Sequence, residues 1–242
     1  MSDLQRMAQP DLPKRFYTDV TVEPRDGGLA VLLDGKGLKT PSRRPLSVPS
    51  LAVAEAIAAE WRAQGERIDP GTMPLTRLVN TVIDGVADDP IPVRDEVARY
   101  AETDLLFYRA DGPERLVARQ KDLWDPLVAE AERLLAARFL LGEGVMHVAQ
   151  PEASLAAVRG RLSGESDPFR IAALHQMTTI TGSTLIALAV AEGRLTLDRA
   201  WAAAHVDEDW NIEQWGADEE AEARRARRFA DMRAAAILVG AA

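Results

Sequence analysis

Two hydrophobic periods divide the chain. In the first fifty residues, apolar positions alternate or run in short blocks between turn residues. Val20 and Val22 alternate with Thr21 and Glu23 ahead of a Pro-Arg-Asp-Gly-Gly turn over 24–28. An apolar block over 29–33 stops at Asp34 and Gly35, a dipeptide favoured in hairpin turns because both residues tolerate positive φ. Residues 38–40 and 45–48 are two further short candidate strands, restricted to sheet edges by Pro41 and Pro45. The pattern predicts a small antiparallel β domain over 1–49.

From Pro49 the period becomes helical. Ser50 is placed to cap a helix whose apolar positions Val53, Ile57 and Trp61 recur every four residues, with Gly65 ending it. Further helices are predicted over 74–86, 93–108, 114–139, 152–162, 168–192, 196–215 and 218–238. Pro126 should start or kink a segment inside the 114–139 stretch, and 145–148 is a candidate short strand. Trp61 and Trp124 lie on apolar helical faces and are expected in the core. The expected fold is α+β, with the small N-terminal β domain over 1–49 followed by a larger, mostly α-helical domain over 50–242.

Composition narrows the function classes. The chain has no cysteine, which excludes disulfides, thiolate metal sites and a cysteine nucleophile. The 38 acids exceed the 29 bases, for a net charge of −9. Phosphate neutralisation needs a basic face, so no nucleic-acid partner is expected. The stretch between Arg170 and Glu192 carries no formal charge, yet His175, Gln176 and several threonines interrupt it. A buried helix fits it better than an integral membrane segment. The first ten residues lack both the apolar core of a secretory signal and the Arg- and Ser-rich character of a transit peptide. The expected localisation is the bacterial cytoplasm, or the mitochondrial matrix if the chain is eukaryotic and its transit peptide has been removed.

Familiar catalytic patterns are missing. A phosphate loop around Gly35 and Lys36 fails because Ala30 stands where its first glycine belongs and Gly37 replaces the Ser or Thr after the lysine. His147, His175 and His205 are scattered. His205 and Asp209 share a helical face, but two ligands from one helix make a weak metal signal. His175 is expected as a hydrogen-bonded core residue. No serine lies in a nucleophile elbow. Carboxylates are plentiful, but no spacing selects an acid–base pair, so a carboxylate- or metal-dependent hydrolase is kept only as the alternative reading. No catalytic residue, cofactor, metal or small-molecule substrate is assigned.

Residues 205–216 stand apart. On a continuous helix over 196–215, a 100° step places Leu197, Trp201, Ala204, Ile212 and Trp215 in one stripe. Glu208 falls in its middle, and Asp207 and Asp209 point to either side. A carboxylate on a tryptophan-lined face is costly if buried alone and should meet a cation. That cation belongs either to the next helix (Arg224, Arg225, Arg227 or Arg228) or to a partner protein. The candidate partner-binding set is Glu208, Asp207, Glu213, Trp210 and Trp215, since aromatic residues with charged hydrogen bonds are how binding hot spots are built.

Several strings carry a resemblance. They are Arg-Phe-Tyr over 15–17, Leu-Asp-Gly-Lys-Gly-Leu-Lys-Thr-Pro over 33–41, Ala-Ala-Glu-Trp over 58–61, and Met-Pro-Leu-Thr over 73–76 with Asn80 and Thr81. Thr-Asp-Leu over 103–105, Tyr108 with Arg109, Gln120 with Trp-Asp-Pro over 124–126, and Ile-Glu-Gln-Trp-Gly over 212–216 complete the set. With these strings, spread over almost its whole length, the chain resembles the F1-ATPase assembly chaperones that hold free α subunit before it joins β. The resemblance implies a β domain followed by a helical domain, no catalysis, no nucleotide or metal, and the F1 α subunit as partner. It also implies a functional acid just upstream of the Trp-Gly pair, at Asp207 or Glu208. The helical wheel favours Glu208.

Overall fold

Strand β1 (Val20–Arg25) pairs antiparallel with β2 (Gly28–Leu33) along its whole length, from Val20 opposite Leu33 to Arg25 opposite Gly28. The computed structural model describes residues 12–25, 27–144 and 146–241. A two-residue turn with φ of 47° at Asp34 and 77° at Gly35 then leads into β3 (Lys36–Gly37), as the sequence predicts. The Asp34 carboxylate accepts from the backbone N–H groups of Thr18 and Asp19, which hold its pKa below the usual value. Strand β4 (Ser47–Val48) pairs with Leu29 and Ala30 of β2, on the same edge as β3 and opposite β1. Residues 38–40 make only an isolated bridge, between Lys39 and Pro45.

Helix α1 (Leu51–Arg62) packs against β1, β2 and β4 and buries Val53, Ala54, Ile57 and Ala58; Ala30, Val31, Leu32 and Leu33 of β2 are buried as well. Glu60 on the same helix caps α2 (Pro74–Thr81). Its carboxylate accepts from Leu75 N at 2.7 Å, Thr76 N at 2.8 Å and the Thr76 hydroxyl at 2.6 Å. The Ala-Ala-Glu-Trp and Met-Pro-Leu-Thr strings are thus two halves of one cap, at the helix end where anions are favoured. Burial still pushes the Glu60 pKa up. Trp61, expected in the core, is only partly buried. Its ring meets Tyr17 edge-on, and the Tyr17 hydroxyl donates to the Trp61 carbonyl at 2.7 Å.

The switch from strands to helices falls where the sequence places it, at 49–51, while the compact units divide later. Residues through Asp84 form one unit and Gly85–Ala242 the other, so α1 and α2 belong with the sheet. The two units also differ in charge. Through Asp84 the chain has 11 bases and 11 acids; beyond it, 18 bases and 27 acids. The helical unit carries the whole −9.

In the second unit, α3 (Ile91–Arg99) and two 3-10 turns lead to a two-residue strand, β5 (Tyr108–Arg109). The predicted helix over 93–108 ends early because Asp104 accepts from Leu106 N and starts a separate turn. Helix α4 (Glu114–Leu135) tolerates Pro126 inside it. Strand β6 (Gly142–Glu143) pairs parallel with β5. Of the strand expected over 145–148, Val145 lies outside the described residues and 146–148 form none. Helices α5 (Glu152–Ser163), α6 (Pro168–Thr181), α7 (Thr184–Ala191), α8 (Leu197–Ala204), α9 (Val206–Trp215) and α10 (Glu219–Leu238) follow.

The uncharged stretch is therefore two helices. Gly182 takes φ 69° and its N–H bonds to Thr178 O at 2.7 Å, closing α6. Ser183 caps α7 by accepting from Ile186 N at 3.0 Å. All eight residues of α7 are buried, which explains the absence of charge. Two of the hydroxyls that interrupt the apolar run are satisfied inside, Thr181 donating to Met177 O and Thr184 to Val97 O, both at 2.7 Å, whereas the buried Thr178 hydroxyl has no hydrogen-bond partner. Asp104, fully buried, joins the same junction by accepting from Leu185 N at 3.1 Å. Among the described residues no helix is long and apolar enough to cross a membrane.

Candidate partner-binding site on helix α9

The predicted helix over 196–215 breaks at His205, which sits at φ −120°, ψ 21° between α8 and α9. His205 is buried, its ring stacks on Trp201 at 3.7 Å, and its Nδ1 lies 2.9 Å from the Trp201 carbonyl. A carbonyl only accepts, so Nδ1 carries the proton. Burial lowers the His205 pKa, keeping the ring neutral at pH 7.

The break undoes the helical-wheel stripe. Trp201 is partly buried beside Phe229 and under Arg225, whereas Trp215 at the far end of α9 is 86% exposed. Glu208 is not at the centre of a shared tryptophan face. Its side chain is 38% exposed, with Arg225 Nη1 at 3.4 Å and His205 Nε2 at 4.0 Å. Of the two cation sources left open by the sequence, the next helix supplies one, Arg225. Arg225 makes its hydrogen bond to Asp209 instead, and Glu208 is left with ion pairing alone.

The other acids of α9 are held more firmly. Asp207 accepts from Gln120 Nε2 at 2.7 Å, and Glu213 pairs with Arg119 at 2.6 Å, both from α4. Gln120 also accepts from Ala110 N at 2.8 Å. One turn on, Trp124 is fully buried and donates from Nε1 to Ala203 O at 2.7 Å. Arg109, 8% exposed, lies 5.2 Å from the Trp124 ring and pairs with Asp125 at 2.7 Å. Burial lowers the Arg109 pKa and the Asp125 carboxylate opposes this. The strings around Tyr108, Gln120 and Trp124 thus meet in one polar cluster whose outer end is Asp207.

The site brings Asp207, Glu208, Trp210, Glu213 and Trp215 onto one ten-residue helix, with Trp210 partly buried and Trp215 projecting. Sequence reasoning missed Gln120 and Arg119 as their partners. Gln120 at the apolar spacing of Leu116 and Trp124 was the available signal, because a buried amide on a core face needs a polar partner.

Other chemistry is not assembled. Among the described residues no group of three or more His, Asp or Glu could hold a metal ion. His205 and Asp209 are each committed, to Trp201 and to Arg225. His175, expected in the core, is partly exposed with Nε2 3.2 Å from Glu96. Asp104, raised to a pKa of about 6 by burial, is sealed from solvent and faces helix termini.

Comparison with known proteins identifies the family of the chain. Residues 14–132 match the family model for the ATP12 chaperone protein. The mitochondrial protein atp12 of Schizosaccharomyces pombe is 25% identical over 227 residues, spanning 89% of this chain and 77% of that protein. Among solved structures, the Atu1473 protein of Agrobacterium tumefaciens is 52% identical, with a TM-score of 0.89 over 98% of this chain and 89% of the other. Atp12 from Paracoccus denitrificans is 43% identical, with a TM-score of 0.84 over 94% of this chain and 97% of its own. With this identity carried over nearly the full length of both chains, the protein belongs to the ATP12 chaperone family.

Proposed function

We propose that this protein is an assembly chaperone for the F1 sector of ATP synthase, working in the bacterial cytoplasm, that binds free α subunit and shields it until β takes its place. Free α exposes the apolar surface it later buries against β, and such patches drive aggregation. Covering that surface requires complementary shape and moderate affinity but no chemical step. Family membership supports the role. The single structural observation that carries the location is Trp215, 86% exposed at the end of a helix whose neighbouring acids are tied down.

In this reading Trp215 and Trp210 supply apolar contact. Asp207 and Glu213 hold α9 against α4. Glu208, the acid with the loosest internal hold, is the easiest for a partner cation to capture from Arg225. Titrating purified α subunit against wild type and Trp215→Ala tests this. A weakening of about tenfold with an unchanged melting curve is expected for a hot-spot aromatic. Equal affinity of the two would move the contact away from α9.

A further inference from the structure

A second surface lies where α4 ends. Ala136 takes the left-handed conformation (φ 49°), and the chain beyond exposes Leu140 at 49%, Leu141 at 48% and Met146 at 71%. Isolated exposed apolar residues are ordinary. Here all three lie on one loop whose backbone is pinned from several sides over 138–142. Glu132 accepts from Phe139 N at 2.9 Å and pairs with Arg138 at 3.0 Å. The Gln150 amide accepts from Leu140 N at 2.9 Å and donates to Leu140 O at 2.8 Å, standing in for a neighbouring strand. Ser154 bonds both backbone groups of Arg138. Phe139 is buried and stacks on Phe107 at 4.9 Å. At Gly142 a Cβ would lie 2.6 Å from Val148, so the returning chain is packed against it.

The charge of the segment runs against that of its unit. Between Glu132 and Glu143 there is no acid, while Arg133 and Arg138 are both exposed. A backbone ordered in advance lowers the entropy lost on binding, so apolar tips on it are better placed to bind than on a mobile loop.

We propose that this loop is a docking surface for a protein segment presenting apolar side chains flanked by carboxylates. Resting on the function proposed above, that segment belongs to the α subunit, and the loop is a second point of contact beside α9. Charge complementarity selects the carboxylates. An anionic bilayer fits less well: two arginines fall short of the roughly four to eight bases that hold a segment on acidic lipid, and a net charge of −9 opposes approach.

The test uses the full-length protein, purified α subunit and two paired variants, Leu140→Ser with Leu141→Ser and Arg133→Glu with Arg138→Glu. The leucine pair should weaken α binding about tenfold. The arginine pair should weaken it by about threefold or more and reduce its salt dependence. Both should leave the melting curve in place. If the leucine pair unfolds, the charge pair at two exposed positions carries the test. Equal affinity of wild type and variants overturns this inference and leaves the proposed function standing. Failure of wild type to bind α overturns both. Sedimentation of wild type, but not of the leucine pair, with phosphatidylglycerol vesicles assigns the loop to a membrane and overturns it as well.

Discussion

Asp104 gives the helical unit a pH signature that can be calculated and measured. Its carboxylate is fully buried, accepts from Leu106 N and Leu185 N at 3.1 Å each, and has its pKa raised from 3.8 to about 6, chiefly by burial. Because the folded value is the higher, the folded state binds more protons than the unfolded state between these two values. Stability from this group therefore falls as pH rises through that window and is larger in acid. At about 1.36 kcal/mol per pKa unit, acidification from pH 7 to pH 4.5 should strengthen the group's contribution by about 2 kcal/mol. Asp104→Asn removes the titration. Its amide also turns a donor toward one of the two backbone N–H groups, a mismatch of about 1–3 kcal/mol at either pH. Urea unfolding followed by tryptophan fluorescence, with buried Trp124 reporting on this unit, should show the stability gap between wild type and variant changing by about 2 kcal/mol between the two pH values. A gap that stays constant would refute the assignment of a raised pKa to Asp104.

Two further substitutions probe the packing that positions the site. Trp124→Ala should destabilise the helical unit by about 3–5 kcal/mol, since it empties a fully buried position and unpairs the Ala203 carbonyl; a loss below about 1 kcal/mol in urea unfolding would contradict that burial. Glu60→Ala should cost about 1–3 kcal/mol by removing the cap from α2, read as a lower melting temperature. Glu60→Gln should recover part of it, because one amide oxygen still accepts.

Local signals were legible in the sequence and long-range ones were not. The Asp34–Gly35 hairpin, the alternation of β1 and the cap at Ser183 depend on neighbouring residues, and pattern alone locates the hairpin and the strand. The chain breaks inside apolar runs were hidden. Gly182 sits in a stretch uncharged on both sides, so periodicity continues through it. At His205 the backbone turns out of the helix, with the buried ring stacked on Trp201, a turn that a wheel assuming continuity cannot represent. The same error placed Trp215 beside Trp201. At the candidate site, the anchoring of the α9 acids was not legible: Gln120 and Asp207 are 87 residues apart, and Arg119 and Glu213 are 94 apart. Pairs at that separation are set by how α4 packs against α9.

The central claim is that this protein keeps free α subunit from aggregating, and light scattering of isolated α subunit tests it most directly. With an equimolar amount of the protein, scattering should stay near its starting level, and added β subunit should then draw α into a complex that lacks the chaperone. Aggregation of α at the same rate with and without the protein would contradict the account.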